Sequence, residues 1–409
     1  MPKNKRPVPR KSAVPPQEDD DVLAQQLADL ALAVAAGEGE GEGEGEGDNG
    51  ADAATAARDL ELARLVRNAM RKKNDDVLYG AIERARYSDA LAYRLLRERI
   101  EEAAGTVTLR RDSGPEMEID AFALPVFVHS TGGLKEADGF NDGEAFDALV
   151  ASIKQGGLES PDATVVMISH AYDLDEVDAI TYSHLNDMVR DAAGSMTEKK
   201  LVARPALERS MSGWAATHFG PADTAVELRF LLGFAMKRVD DPFYAAPEDD
   251  AAADAYFEAR MARYRAWTVQ AGPLVKRCLA RDPAALELHF LYQDLFYGAK
   301  EQGVAELAML QMISDVNAAL EEGGVAAAEV RAVIGPAAVE DEVVMRVNLS
   351  DPAGVLLASL EKPLDVAADL QGELDDVCDA LAALGIVSMW VAARFGEDGQ
   401  PLEATLYQA

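Results

Sequence analysis

The chain has 409 residues, with 72 acidic against 39 basic side chains and a net charge of −33. A charge this negative repels phosphate and argues against an extended groove for DNA or RNA. With 49% apolar residues the chain can still bury a core, so it is not globally disordered. Its two cysteines lie 100 residues apart and make no disulfide framework, which points to a reducing compartment. The longest run without a polar residue, Ala121–Val128, is far short of the roughly 20 residues that a bilayer span requires. A cytoplasmic protein without a membrane span or secretory signal is therefore expected, with no cofactor.

Residues 1–57 read as a disordered arm. A short basic stretch (Lys3, Lys5, Arg6, Arg10, Lys11) gives way to acidic residues, and the low-complexity segment from Gly37 to Gly47 alternates glycine and glutamate. Between them Leu23, Leu27, Leu30 and Val34 fall at helical spacing. This predicts a short amphipathic helix on a tether, able to dock on a protein partner through those four residues.

Residues 58–104 predict two or three helices, with apolar stripes such as Leu62/Leu65/Val66 and Val77/Leu78/Ile82. Beyond 105 helices and strands follow one another, which predicts an α+β fold with mixed sheets covered by helices, or a layered α/β variant. The expected division is a first α/β half over 105–240, a helical connector over 241–283 and a second half over 284–409. Pro125 is expected to put its strand at a sheet edge or a bulge. Gly272-Pro273 is expected to break the connector helix. Val226-Glu227-Leu228-Arg229-Phe230-Leu231 resembles Leu286-Glu287-Leu288-His289-Phe290-Leu291, a hint of two related halves.

The chemistry-bearing stretch is Ser169-His170-Ala171-Tyr172-Asp173-Leu174-Asp175-Glu176, where a strand ends and a helix begins. Sites in layered sheets occupy such positions. His170, Tyr172 and Asp173 are the candidate catalytic residues, with the imidazole as general base. His170, Asp173, Asp175 and His184 are the alternative, a mixed nitrogen and oxygen metal site. The bland reading is that Asp173 or Asp175 caps the helix. No nucleophile motif, phosphate loop or calcium loop accompanies them. Cys278 and Cys378 fall beside apolar stripes and read as core. Tyr264 and Trp267, set among Arg260, Arg263 and Arg265, also read as core rather than as base-stacking residues.

The wording of Thr164–Met188, Val226–Tyr244 and Leu288–Tyr297 resembles a proteobacterial family known only as a domain of unknown function. The resemblance covers about residues 60–409 and implies no activity and no functional residues. The composition favours an acidic, non-enzymatic scaffold or protein-binding module. A metal-dependent or general-base hydrolase around His170 is the alternative.

Overall fold

A computed structural model describes residues 16–39, 49–109, 115–131, 134–197, 224–247, 249–292, 296–340 and 342–407. The basic arm and most of the Gly-Glu repeat lie outside these residues. The fold is α+β, in two compact units, 1–104 and 105–409. Among the described residues no helix is long and apolar enough to cross a membrane.

The first unit is helical: α1 (Pro16–Gly39), α2 (Asn49–Arg71), α3 (Asp75–Ser88) and α4 (Ala90–Gly105). Here the structure corrects the expected arm. Residues 16–39 form a packed helix, and its stripe is occupied by the chain itself. Leu27 and Val34 are 0% and 1% exposed, with Leu23 and Leu30 half-buried, and α1 lies against α2 and α3. A lone helix of this length is marginal in water; the apolar faces of α2 and α3 supply the tertiary burial that stabilises it. Asp20 and Asp21 are inside the helix and point across the bundle. Asp20 accepts from the Asn74 amide at 2.7 Å and Asp21 from Arg84 at 3.0 Å. Arg99 of α4 pairs with Asp59 of α2 at 2.9 Å. Leu27 and Val34 are therefore core, with Leu23 and Leu30 half-buried beside them.

Among the described residues the second unit contains two five-stranded sheets and one two-stranded sheet. In the first, β2 (Met117–Thr131) runs antiparallel to β4 (Thr224–Arg238) along its whole length, and β3 (Thr164–Tyr172) lies beyond β4. On its other side β2 has two half-length neighbours, β1 (Thr106–Leu109) opposite residues 117–120 and β5 (Leu286–Phe290) opposite 126–130. Pro125 is thus in an interior strand, not at an edge or a bulge. It falls in the gap between β1 and β5, where its missing N–H interrupts no ladder, and its carbonyl accepts from Leu291 N at 3.0 Å.

Side-chain alternation assigns the two faces. Phe122, Leu124, Val126 and Val128 pack with α5 (Gly143–Gln155) and α8 (Asp250–Leu279). The opposite face meets α7 (Tyr182–Thr197) and α9 (Phe296–Gly323). The helix α8 continues through Gly272-Pro273, because Ala271 and Val275 are fully buried and hold both sides of the proline on the core. Trp267 and Tyr264 are buried in the same core.

The second sheet has the order β12-β9-β6-β7-β8. β6 (Arg331–Val339), β7 (Glu342–Ser350) and β8 (Leu356–Pro363) form an antiparallel meander, β9 (Ser388–Val391) runs parallel to β6, and β12 is Thr405–Leu406. The crossover to β9 is α10 (Leu370–Ala383), which buries Leu374, Val377, Cys378 and Leu381. A small hairpin of β10 (Arg394–Phe395) and β11 (Pro401–Leu402) lies between β9 and β12 in the chain.

The expected three-part division of 105–409 does not describe this arrangement. β5 belongs to the first sheet, α8 covers that sheet rather than connecting two halves, and α9 packs on both sheets. The two look-alike segments are the two neighbours of one stretch of β2. Their registers differ by one residue, Val128 pairing with Glu227 on one side and Leu288 on the other. A one-residue slip reverses the faces, so Leu288 and Phe290 face the α5–α8 core, where β4 presents Glu227 and Arg229.

Leu27 tests the packing of α1. Leu27→Ala is expected to lower the unfolding free energy of the helical unit by about 2–5 kcal/mol, as for a buried leucine truncated in a closed core, in chemical denaturation followed at helical wavelengths. A change within error would return α1 to the status of an unpacked segment.

Candidate functional site

His170 lies where β3 leaves regular pairing. Met167 opposes Gly233 and Ala171 opposes Leu231, so β3 takes four steps while β4 takes two. Such a bulge re-aims side chains at strand ends. The strand then turns into α6 (Leu174–Asp178) through a reciprocal capping box: Glu176 N donates to Asp173 Oδ1 at 2.9 Å, and Asp173 N donates to Glu176 Oε2 at 3.0 Å. The same Glu176 oxygen lies 3.1 Å from His170 Nε2. Tyr172 is buried, with its ring edge-on to the imidazole and centroids 4.4 Å apart.

Behind this turn is a feature that sequence reasoning missed. Arg229 is 0% and Glu227 2% exposed, on the core side of β4. Arg229 binds the Glu227 carboxylate through Nε and Nη2, and its Nη1 lies 3.5 Å from Asp173 Oδ2. The other Glu227 oxygen accepts from Leu134 N at 2.9 Å. The signal was present in the alternation. Glu227 and Arg229 share a face with Leu231, Gly233 and Ala235, and apolar residues on both faces mark a strand enclosed on both. Polar residues in such a strand are buried whichever way they point.

The predicted residues divide accordingly. His170, Tyr172 and Asp173 are brought together, with Glu176, Glu227 and Arg229 as neighbours. The metal set is not assembled: Asp175 is exposed on α6, His184 is on α7, and His170 is directed at Glu176. Among the described residues no three His, Cys, Asp or Glu side chains are grouped to hold a metal ion. Cys278 and Cys378 are core residues as expected, and burial pushes their thiols up to about 12 and about 11, away from the nucleophilic thiolate.

Burial lowers the pKa of His170, with the charge of Arg229 acting in the same direction, against the opposing pull of Glu176 and Asp173. The favoured state is the neutral imidazole. When Nε2 is the protonated nitrogen it donates to Glu176 and leaves Nδ1 as the acceptor. The group is thus a neutral histidine oriented by a carboxylate, and the carboxylate is itself held by a helix cap.

No protein-family model, no curated protein and no solved structure matches the chain. The chemistry therefore rests on these residues alone.

Two measurements follow from the geometry. Arg229→Met leaves Glu227 buried without its partner and is expected to cost about 3–5 kcal/mol of stability, whereas Arg229→Met with Glu227→Leu is expected to recover most of it. Equal losses in the single and double variants would show that the pair is not the source. For His170 the folded pKa is below the unfolded value of about 6.5, so the unfolded state binds more protons between the two. Stability from this group is complete above about pH 6.5 and is lost as pH falls through the folded pKa. His170→Asn should flatten that part of the melting-temperature profile; an unchanged slope would place the titration elsewhere.

Proposed function

We propose that this chain is a non-enzymatic, cytoplasmic protein-binding module, with the His170 cluster as an internal clamp. The observation that carries this is the mutual engagement of the cluster's polar atoms. Asp173 and Glu176 cap each other's backbone, Glu176 also meets His170, and Arg229 joins Glu227 to Asp173. These contacts fasten the β3–α6 turn to β4.

Partner binding is assigned to the helical unit. With the α1 stripe occupied, the exposed large side chains include Tyr79 and Tyr87 on α3, 43% and 69% exposed and two turns apart on one side of the helix. Glu83 lies between them and Arg86 beside them. Tyrosine and arginine are enriched in protein interfaces because they combine a rigid apolar body with polar ends.

The competing reading is a general-base hydrolase, favoured by the neutral imidazole of His170 backed by Glu176. It does not require a metal and makes its own demand: hydrolysis that disappears in His170→Ala and follows a single ionisation on the acid limb.

A photocrosslinking side chain placed at Tyr79 or Tyr87 of the full chain in its cell is expected to trap one discrete protein. Tyr79→Ser with Tyr87→Ser should abolish recovery of that protein and leave the melting temperature unchanged. No discrete adduct at either position, or His170-dependent hydrolysis by the purified chain, would overturn the proposal.

A further inference from the structure

Helix α9 starts on the first sheet and ends on the second. Near its start, Gly303 is so close to Leu228 and Phe230 of β4 that a side chain there would lie 3.0 Å from each. Further along, Met312 and Val316 are buried in the core of the second sheet, with Met309 and Leu320 packed beside them. Residues 310, 313, 314, 317 and 321 repeat at helical spacing on another side of the helix. Leu310, Ile313, Ser314, Asn317 and Glu321 form one wall of an open groove of about 540 Å³, and His129 of β2 and Val226 of β4 belong to the other. Val226 is buried, Leu310, Ile313 and Ser314 are half-buried, and His129, Asn317 and Glu321 are exposed. The groove has an apolar floor and a polar rim.

We propose that this groove binds a linear alkylammonium ion, with its stem on Val226, Leu310 and Ile313 and its head at Asn317 and Glu321. Clefts of about 300–1,000 Å³ with an apolar lining and a few polar groups are the usual form of a small-ligand site. The polar groups here are uncommitted. Among the described residues, the side chains of His129, Ser314, Asn317 and Glu321 form no hydrogen bond or ion pair. Length sets the stem. Ile313 and Glu321 lie about 12 Å apart along the helix, at 1.5 Å per residue. An extended chain advances about 1.2 Å per bond, so a stem of roughly eight carbons spans that distance with its ammonium at Glu321.

Charge sets the ligand's sign. Glu321 carries a fixed negative charge, and among the described residues no lysine or arginine lines the groove. Glu287 of β5 pairs directly with His129 in the β2–β5 ladder and so shares its face, which adds a second carboxylate at the rim. An ammonium has three donors and no acceptor. The Glu321 carboxylate and the Asn317 side-chain carbonyl, one turn apart, accept two of its hydrogen bonds and water accepts the third. The net charge of −33 draws cations towards the chain and repels anions. An acid of the same length meets Glu321 and Glu287 and is repelled. An alcohol gains the floor without the charge, and a diamine has to lay its second ammonium on the floor. A lysine side chain from another protein offers the same head on four methylenes only, so dependence on stem length separates the two sources.

The test is calorimetric titration of the full chain at low salt and about pH 8, above the ordinary histidine range, so that imidazoles carry no charge. Butylammonium, hexylammonium and octylammonium are the probes, with octanol, octanoate and the terminal diamine of octane as controls. Octylammonium is expected to saturate one site per chain with a Kd below about 1 mM. Each pair of methylenes removed should weaken binding by about threefold or more, and all three controls should bind less well than octylammonium. Glu321→Gln should weaken octylammonium by about threefold, and Glu321→Lys should reverse the preference in favour of octanoate. Residue 321 is exposed, and melting curves check that both variants are folded; the comparison of octylammonium with octanoate in the wild-type chain needs no variant. No saturation by about 10 mM, uptake of many ions per chain, equal binding of octanol or butylammonium, or an unaltered preference in folded Glu321→Lys would overturn the proposal.

Discussion

Between Val226 and Met236 strand β4 is enclosed on every side. It pairs with β2 along one edge and β3 along the other, α5 and α8 cover one face, and α7 and α9 cover the opposite one. A charged side chain between Val226 and Met236 has no route to water except past its own neighbours. Two charges of opposite sign therefore stand two residues apart on one face, Glu227 and Arg229, and they are paired with each other within the protein. Their mutual attraction at low dielectric offsets a desolvation cost of several kcal/mol per ion only if the remaining donors and acceptors also find partners. Leu134 N donates to Glu227, and the Asp173 carboxylate stands 3.5 Å from the guanidinium as its second counter-charge. The β3–α6 turn, and with it the orientation of His170, is fixed by the needs of a guanidinium that cannot reach solvent.

That dependence explains what was legible in the sequence. Periodicity located the helices and strands, because a half-covered element repeats its apolar residues at 3.6 or 2. It located the His170 stretch too, since a helix start with Asp173 and Glu176 three residues apart is a local pattern. Glu227 and Arg229 were concealed by the same method. Their alternation with Val226, Leu228 and Phe230 looks like the outer face of a two-sided strand, and only Leu231, Gly233 and Ala235 further along reveal that no outer face exists. The groove beside α9 was not legible at all. His129 and Val226 come from two strands and Ser314, Asn317 and Glu321 from a helix far along the chain, and only tertiary structure unites them.

The first unit shows the converse error. Leu23, Leu27, Leu30 and Val34 were read correctly as a helical stripe, but the glycine-glutamate repeat that follows made the stripe look isolated. Composition reports on a segment's own tendency and is silent about faces supplied from elsewhere. Here α2 and α3 supply them, with Asn74 and Arg84 adding polar contacts to Asp20 and Asp21 at one end of the helix.

The pairing of β2 with β5 has a consequence for synthesis. Residues 126–130 find one partner in β4, about a hundred residues later, and the other only at 286–290. During translation the β2–β4 ladder can form while the other edge of β2, with its backbone donors and acceptors, still waits for α8 and β5 to leave the ribosome. An unpaired edge of this kind templates pairing with other chains. The apolar residues of the first sheet also lack α8 until the same stage. The nascent chain is therefore at greatest risk of misassociation over the interval between β4 and β5, and domain-by-domain folding during synthesis cannot relieve it, because α8 is made only within that interval and the strand that closes the sheet only at its end.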